Sequence, residues 1–328
     1  MSSKEIIFMY SGQGAQYYQM SRELWEHDPI YRAALKRYSS LVGMINGREL
    51  TEIIFSRPLS ESMYFDNLIE THPLIVAVSL ALTDTLAARG IFPNRVLGYS
   101  LGETISAVVS GALTPEEAMW AVQTQAAVFE KLVNPGCLVA VLSLTEMVTE
   151  AMPLYLRKRV HLAAVNAPAH YVYGMAKTDC SAFIQALNSH GLSHAVLPIR
   201  FAFHTPLIDS AQESFSEITE QLSFSSPNIP VHSCALSSEI HEFKPYHFWQ
   251  VARNVVRFYD TIVPLADNYT TRFVDVGPSG TLAGFLRISN RHTDSSEQSK
   301  KVARPAIIIM NQFGHDIRTF NQAVERLV

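Results

Sequence analysis

The stretch that most constrains this chain is Gly98-Tyr99-Ser100-Leu101-Gly102, which matches G-x-S-x-G between an apolar run at 95–97 and a helix-like run at 101–110. A strand that turns sharply into a helix at such a motif presents its serine to solvent at the edge of an α/β sheet. The glycines let neighbouring main chain approach closely, and the new helix N-terminus offers unpaired N–H groups to a developing oxyanion. Ser100 is therefore expected to be a nucleophile and Leu101 to lend its backbone N–H. A merely structural glycine-rich turn could share the five-residue pattern, but here strand and helix both stand in the required order.

The surrounding pattern agrees. Residues 5–10, 95–99, 272–276 and 305–310 read as buried strands separated by amphipathic segments, which predicts a parallel α/β sheet. Leu74, Val78, Leu82 and Leu86 recur every fourth residue, predicting a helix over 71–89 that stops at Gly90. Thr114-Pro115-Glu116-Glu117 has the form of a capping box with proline in the first turn, and Asn134-Pro135-Gly136 ends the helix it starts. From 136 to 199 the order changes to strand (138–142), helix (145–155), strand (160–165), strand (171–175), helix (178–190), strand (195–197), a βαββαβ unit of ferredoxin-like type. The expected fold is α/β: a hydrolase-like parallel-sheet large domain formed by 1–134 and 201–328, with an inserted ferredoxin-like small subdomain over 135–200. The polar stretch 290–301 reads as a mobile surface loop.

Composition narrows the partners. With 48% hydrophobic and 17% charged residues the chain can bury a core, and 26 basic against 30 acidic residues leave a net charge of −4. Without a run of one sign, neither nucleic acid nor an anionic membrane is an expected partner. Cys137, Cys180 and Cys234 are widely spaced and odd in number, which suggests reduced thiols rather than a disulfide frame or zinc site. With no secretory signal and no long apolar span, a soluble cytoplasmic protein is expected.

A serine nucleophile needs a base and a second oxyanion donor. Gly12-Gln13-Gly14-Ala15-Gln16 follows the first strand and would reach the same sheet edge, although a tight turn or phosphate loop shares that pattern. Two histidines compete for the base. His204 lies in Phe201-Ala202-Phe203-His204-Thr205-Pro206-Leu207, whereas His315 in Gly314-His315-Asp316 would complete an α/β-hydrolase order with Asp275. The residues alone leave both open.

Taken together, Gly12-Gln13-Gly14-Ala15-Gln16, Gly98-Tyr99-Ser100-Leu101-Gly102-Glu103, Ala202-Phe203-His204-Thr205-Pro206-Leu207 and Val276-Gly277-Pro278 resemble the malonyl-CoA:acyl-carrier-protein transacylases and polyketide synthase acyltransferases, in order and spacing across nearly the whole chain. The resemblance implies an acyl site in the cleft between the two domains and selects His204 as base. It implies a two-step exchange through an acyl-serine ester, with the oxyanion held by the N–H groups of Gln13 and Leu101. It further implies that backbone carbonyls orient the histidine. The matching run here, Trp249-Gln250-Val251-Ala252-Arg253-Asn254, is one residue short, and Val251 is the expected carbonyl.

Relatives that take malonyl groups carry an arginine on the helix after the nucleophile, where its planar fork grips the carboxylate. Alignment without gaps from Glu103 and Gly111 puts Gln125 there, on the apolar face formed by Ala118, Val122, Ala126 and Phe129. Such a glutamine is more often a satisfied core amide, but at this position it removes the cation. Tyr99 and Phe201 also stand where this family often has histidine, so both, with Phe203, are expected at the substrate. A glutamine in place of the arginine resembles the stand-alone editing acyl hydrolases of trans-acyltransferase polyketide synthases. The expected activity is removal of neutral acyl groups from acyl-carrier-protein thioesters. The alternatives are loading of an acyl unit onto a carrier protein and, less favoured, an inactive carrier-docking module. The acyl group would ride on carrier phosphopantetheine or coenzyme A, with no metal or redox cofactor. The acidic carrier is expected to dock near Arg200, Arg253 or Arg257.

Overall fold

The computed structural model describes residues 5–266, 271–292 and 305–328. Most of the stretch expected to be a mobile loop, 293–301, lies outside the described residues.

Two sheets organise the chain. The first, six strands in the order β10-β9-β1-β2-β7-β8, is built from β1 (Ile6–Tyr10), β2 (Arg95–Gly98), β7 (Val231–Ser233), β8 (Ser238–Ile240), β9 (Arg272–Asp275) and β10 (Ile307–Ile308). Its pairings are parallel except for β8, which adds an antiparallel edge. Helices cover both faces, so β1 is almost wholly apolar, and Ile7, Phe8, Met9 and Tyr10 are fully buried. β1 lies between β2 and β9, with Tyr10 opposite Gly98. The loops leaving β1 and β2, which carry Gln13 and Ser100, therefore emerge side by side at the carboxyl edge of the sheet.

The second sheet runs β4-β5-β3-β6, all antiparallel, from β3 (Gly136–Leu142), β4 (His161–Ala167), β5 (His170–Ala176) and β6 (Ser193–Val196). With helices at Thr145–Ala151 and Lys177–Ser189 it forms the ferredoxin-like unit, around its own core of Val139, Leu156, Met175 and Phe183.

Several expectations are corrected. The helix expected over 71–89 is Leu68–Ala87, started by Asn67, whose side chain accepts from the Ile69 N–H. The helix expected over 145–155 ends at Ala151, because Pro153 cannot supply the N–H of the next turn. β10 has two residues where six were expected. Cys137 and Cys180 form a disulfide rather than free thiols, since β3 and the Lys177–Ser189 helix bring residues 43 apart in sequence to a Cα separation of 6.1 Å. Cys234 remains free and buried. Among the described residues no helix is long and apolar enough to cross a membrane.

Candidate active site

The turn from β2 into the Gly102–Val109 helix is a tight elbow in which Ser100 takes a φ of 55°, in the left-handed region that a side chain rarely occupies. Close packing requires glycine on both sides of it. A Cβ on Gly102 would lie 2.0 Å from the Tyr10 carbonyl oxygen, and one on Gly12 would lie 2.9 Å from the Leu101 nitrogen. The loop after β1 thus rests directly on the serine turn. Among the described residues the N–H groups of Gln13 and Leu101 reach no protein acceptor, so both are free to receive an oxyanion. The Gln13 side chain is tied to Thr71 on the Leu68–Ala87 helix, with its Nε2 donating to Oγ1 at 3.0 Å.

His204 meets Ser100: its Nε2 lies 2.9 Å from the serine Oγ. Its Nδ1 lies 3.1 Å from the Asn254 carbonyl, which can only accept. The proton therefore sits on Nδ1, leaving Nε2 as the acceptor for the serine hydroxyl. Asn254 supplies the carbonyl at hydrogen-bond distance from Nδ1, and the Val251 carbonyl, the one expected, also acts on the ring. The Pro245–Arg253 helix ends there, and Asn254 turns to an extended conformation (φ −77°, ψ 154°) that frees its carbonyl from the helix. The His204 N–H also donates to the Ala252 carbonyl at 2.9 Å. Burial pushes the His204 pKa down to about 4, against the opposing pull of the Asn254 and Val251 carbonyls.

Behind the elbow, Glu103 is completely buried yet satisfied. It accepts from Ser233 Oγ at 2.9 Å, from the Ala235 N–H at 3.0 Å and from His247 Nε2 at 2.9 Å. Burial and then the Glu103 charge push the neighbouring Cys234 thiol well above its ordinary pKa, keeping it protonated and inert.

A cavity of about 40 Å³ opens beside Ser100. Its wall is largely apolar, from Leu101, Phe129, Phe203, Phe215, Phe248, Val251 and Ala252, with Phe203 fixed edge-on against Phe129 at 4.9 Å. Polar groups enter from Gln13, His72, Thr104 and Gln125, and among the described residues no lysine or arginine lines it. The Gln125 side chain is buried and makes no hydrogen bond among the described residues. It is thus not the backbone-satisfied core amide that is commoner at such positions.

The other expected contacts divide. Tyr99 lies along a larger cleft of about 1010 Å³ that shares Gln13 with the small cavity and is walled by both sheets, and its hydroxyl donates to Asn166 Oδ1 at 2.9 Å. Phe201 lines neither space; it packs on Phe203 below the Arg200 guanidinium. The three arginines named for docking are all paired, Arg200 with Glu130, Arg253 with Asp209 and Arg257 with Asp260. His315 is exposed at the start of the Asp316–Leu327 helix, its N–H bonded to Glu23. Asp275 accepts from the N–H groups of Gly277 and Ala283, and burial raises its pKa to about 6. The hydrolase-type alternative is therefore not assembled. Sequence reasoning missed His72 and Thr104. His72 could have been singled out from Glu70-Thr71-His72, a polar triplet in the first turn of a largely apolar helix.

A family model described as the acyl transferase domain matches residues 7–321. The chain belongs to the acyl transferase domain family. It is an acyltransferase enzyme. The polyketide biosynthesis acyltransferase homolog PksD of Bacillus subtilis (strain 168) is 30% identical over 285 residues, covering 87% of each chain. BaeD of Bacillus velezensis is 31% identical over the same share of each. Among solved structures, the acyltransferase domain from the second module of the salinomycin polyketide synthase superposes with a TM-score of 0.82 at 27% identity, over 98% of this chain and 72% of that one. MCAT from Streptococcus pneumoniae gives 0.77 at 25% identity, over 98% of this chain and all of that one.

Proposed function

We propose that this acyltransferase-family enzyme is a trans-acting acyl hydrolase that clears neutral acyl groups from carrier-protein thioesters of a polyketide synthase. His204 Nε2 takes the Ser100 proton as Oγ attacks the thioester carbonyl, and the oxyanion is held by the N–H groups of Gln13 and Leu101. The C–S bond breaks, and the carrier's thiolate leaves with the proton from His204. Water, deprotonated by the same imidazole, then attacks the acyl-serine ester and releases the acid with Ser100 restored. So written, the chemistry needs no metal or redox cofactor.

One observation carries the reading: among the described residues Gln125 is uncharged and without a side-chain partner, and it stands on the wall of a cavity that no lysine or arginine lines. A malonyl carboxylate entering it would lose its hydration without gaining a countercharge, a disadvantage of at least ~10-fold against a neutral chain. Carrier partnership is supported by the family and by the polyketide relatives PksD and BaeD. Incubation with acetyl- and malonyl-loaded carrier protein tests it: acetyl should be released faster, and preferential release of malonyl, or of neither, defeats the proposal.

A second reading, transfer of the neutral acyl unit to another carrier, is favoured by the description of PksD and BaeD as acyltransferase homologs. Gln125 bears on which acyl group is held; mass spectrometry of an added acceptor carrier decides what takes it. A lasting mass gain means transfer, and free acid without one means hydrolysis. The hydrogen-bonded Ser100 and His204 speak against an inactive docking module.

A further inference from the structure

The cavity beside Ser100 carries more polar capacity than a plain hydrocarbon chain can use. The His72 ring is more than nine-tenths buried, its Nδ1 is enclosed with no hydrogen-bond partner, and the ring makes no hydrogen bond through Nε2 among the described residues. The Gln125 side chain is equally buried and hydrogen-bonds to no protein group among the described residues, although its amide atoms are not fully enclosed. Both side chains line the one cavity with Ser100, so an occupant meets an amide that offers a donor and an acceptor, and an imidazole whose Nε2 is a donor or an acceptor according to tautomer.

A buried polar group left unmatched is destabilising, so an occupant that bonds to this pair is favoured over one that does not. In the resting site water can do so. A hydrocarbon chain that displaces the water leaves the pair unmatched, whereas a chain bearing its own oxygen restores the bonds. The volume sets the scale: about 40 Å³ holds a chain of only a few heavy atoms, so the oxygen must lie close to the ester carbonyl. Its charge is also constrained. Burial lowers the His72 pKa to about 4, so the ring is neutral at pH 7 and offers no cation to a carboxylate.

We infer that His72 and Gln125 together select short acyl chains carrying a hydroxyl near the thioester, of the 3-hydroxybutyryl type, over unsubstituted chains of the same length. This rests on the proposed acyl-serine chemistry at Ser100 and names its substrate class. His72 is then a specificity residue that touches the acyl chain.

The test compares kcat/KM for 3-hydroxybutyryl- and butyryl-pantetheine thioesters. The wild-type ratio should favour the hydroxylated chain by about 10-fold, the worth of one or two neutral hydrogen bonds. His72→Leu and Gln125→Leu should each lower that ratio several-fold, and His72→Gln, which keeps a donor and an acceptor, should recover part of it. A wild-type ratio at or below one, or a ratio unmoved by both leucine variants, overturns the inference. Calorimetric binding of the same two thioesters to Ser100→Ala separates this failure from failure of the proposed chemistry. Absence of turnover with every thioester sinks the hydrolase reading, but tighter binding of the hydroxylated chain would still support the selection, and equal binding would refute it.

Discussion

Glu103 and His247 are joined by a 2.9 Å hydrogen bond between two side chains almost completely removed from solvent. Glu103 lies on the helix that Ser100 opens, and His247 on the helix that ends by releasing the Asn254 carbonyl to His204. One buried contact therefore holds the two halves of the proposed catalytic pair in register. Replacing Glu103 by leucine strands the imidazole, the Ser233 hydroxyl and the Ala235 N–H at once, so stability should fall by about 3–5 kcal/mol. Urea denaturation would measure it, and a loss below ~1 kcal/mol would show that the contact is dispensable.

Ser100→Ala and His204→Ala should each lower release of acetyl from carrier protein by at least ~1000-fold, with the acyl adduct on the protein lost in the serine variant. His315→Ala, at an exposed helix start, should leave the rate within about twofold. Intact-protein mass spectrometry and thioester release assays read both. An inactive His315→Ala would restore the rejected triad.

Acid should act late on the chemistry. The His204 pKa is lowered to about 4 in the folded protein, so the base form persists well below pH 6.5 and is lost only as pH falls through about 4. Stability follows a different balance. His72, His170 and His204, all lowered to about 4, make the unfolded chain bind more protons, so their contribution declines as pH falls from about 6.5 towards 4. Asp275 and Asp316, raised to about 6 and about 7, work in the opposite sense over much of that interval. Rapid mixing, which reads acylation before unfolding, is the suitable measurement. A limb near 6.5 would mean that His204 is more hydrated than its packing implies.

Gln125→Arg should place a guanidinium on the cavity wall and raise the malonyl-to-acetyl ratio about 10-fold or more. Competition between the two loaded carriers measures it. No gain would mean that the aromatic wall excludes the carboxylate by shape.

What could be read from the sequence was whatever its signal keeps local. Strand, serine and helix are contiguous around Ser100, and the alternation of elements between Gly136 and Val196 is nearly continuous, so elbow and ferredoxin-like unit were both legible. Gln125 was legible as an inward-facing amide from helical spacing. Long-range partners were not. The Glu103–His247 bond spans 144 residues, and the disulfide joins cysteines 43 apart with no motif to announce it. Seeing that the Asn254 carbonyl joins that of Val251 at His204 required knowing where a helix stops, a boundary that residue preferences place only to within a few positions. Phe201 was expected at the substrate from its place in the motif, but only Phe203, two residues on, lines the cavity.

The anchoring of His204 on a main-chain oxygen also sets what bonds the proposed machinery could cleave. A carbonyl dipole gives an imidazolium much less support than a full negative charge, and the lowered pKa makes the neutral ring a feeble proton acceptor. Such a ring activates a hydroxyl enough for an electrophilic sulfur ester with a readily expelled thiolate, but poorly for a peptide bond, whose nitrogen is a far worse leaving group. The predicted result is an enzyme that can work among folded proteins without acting as a protease on them.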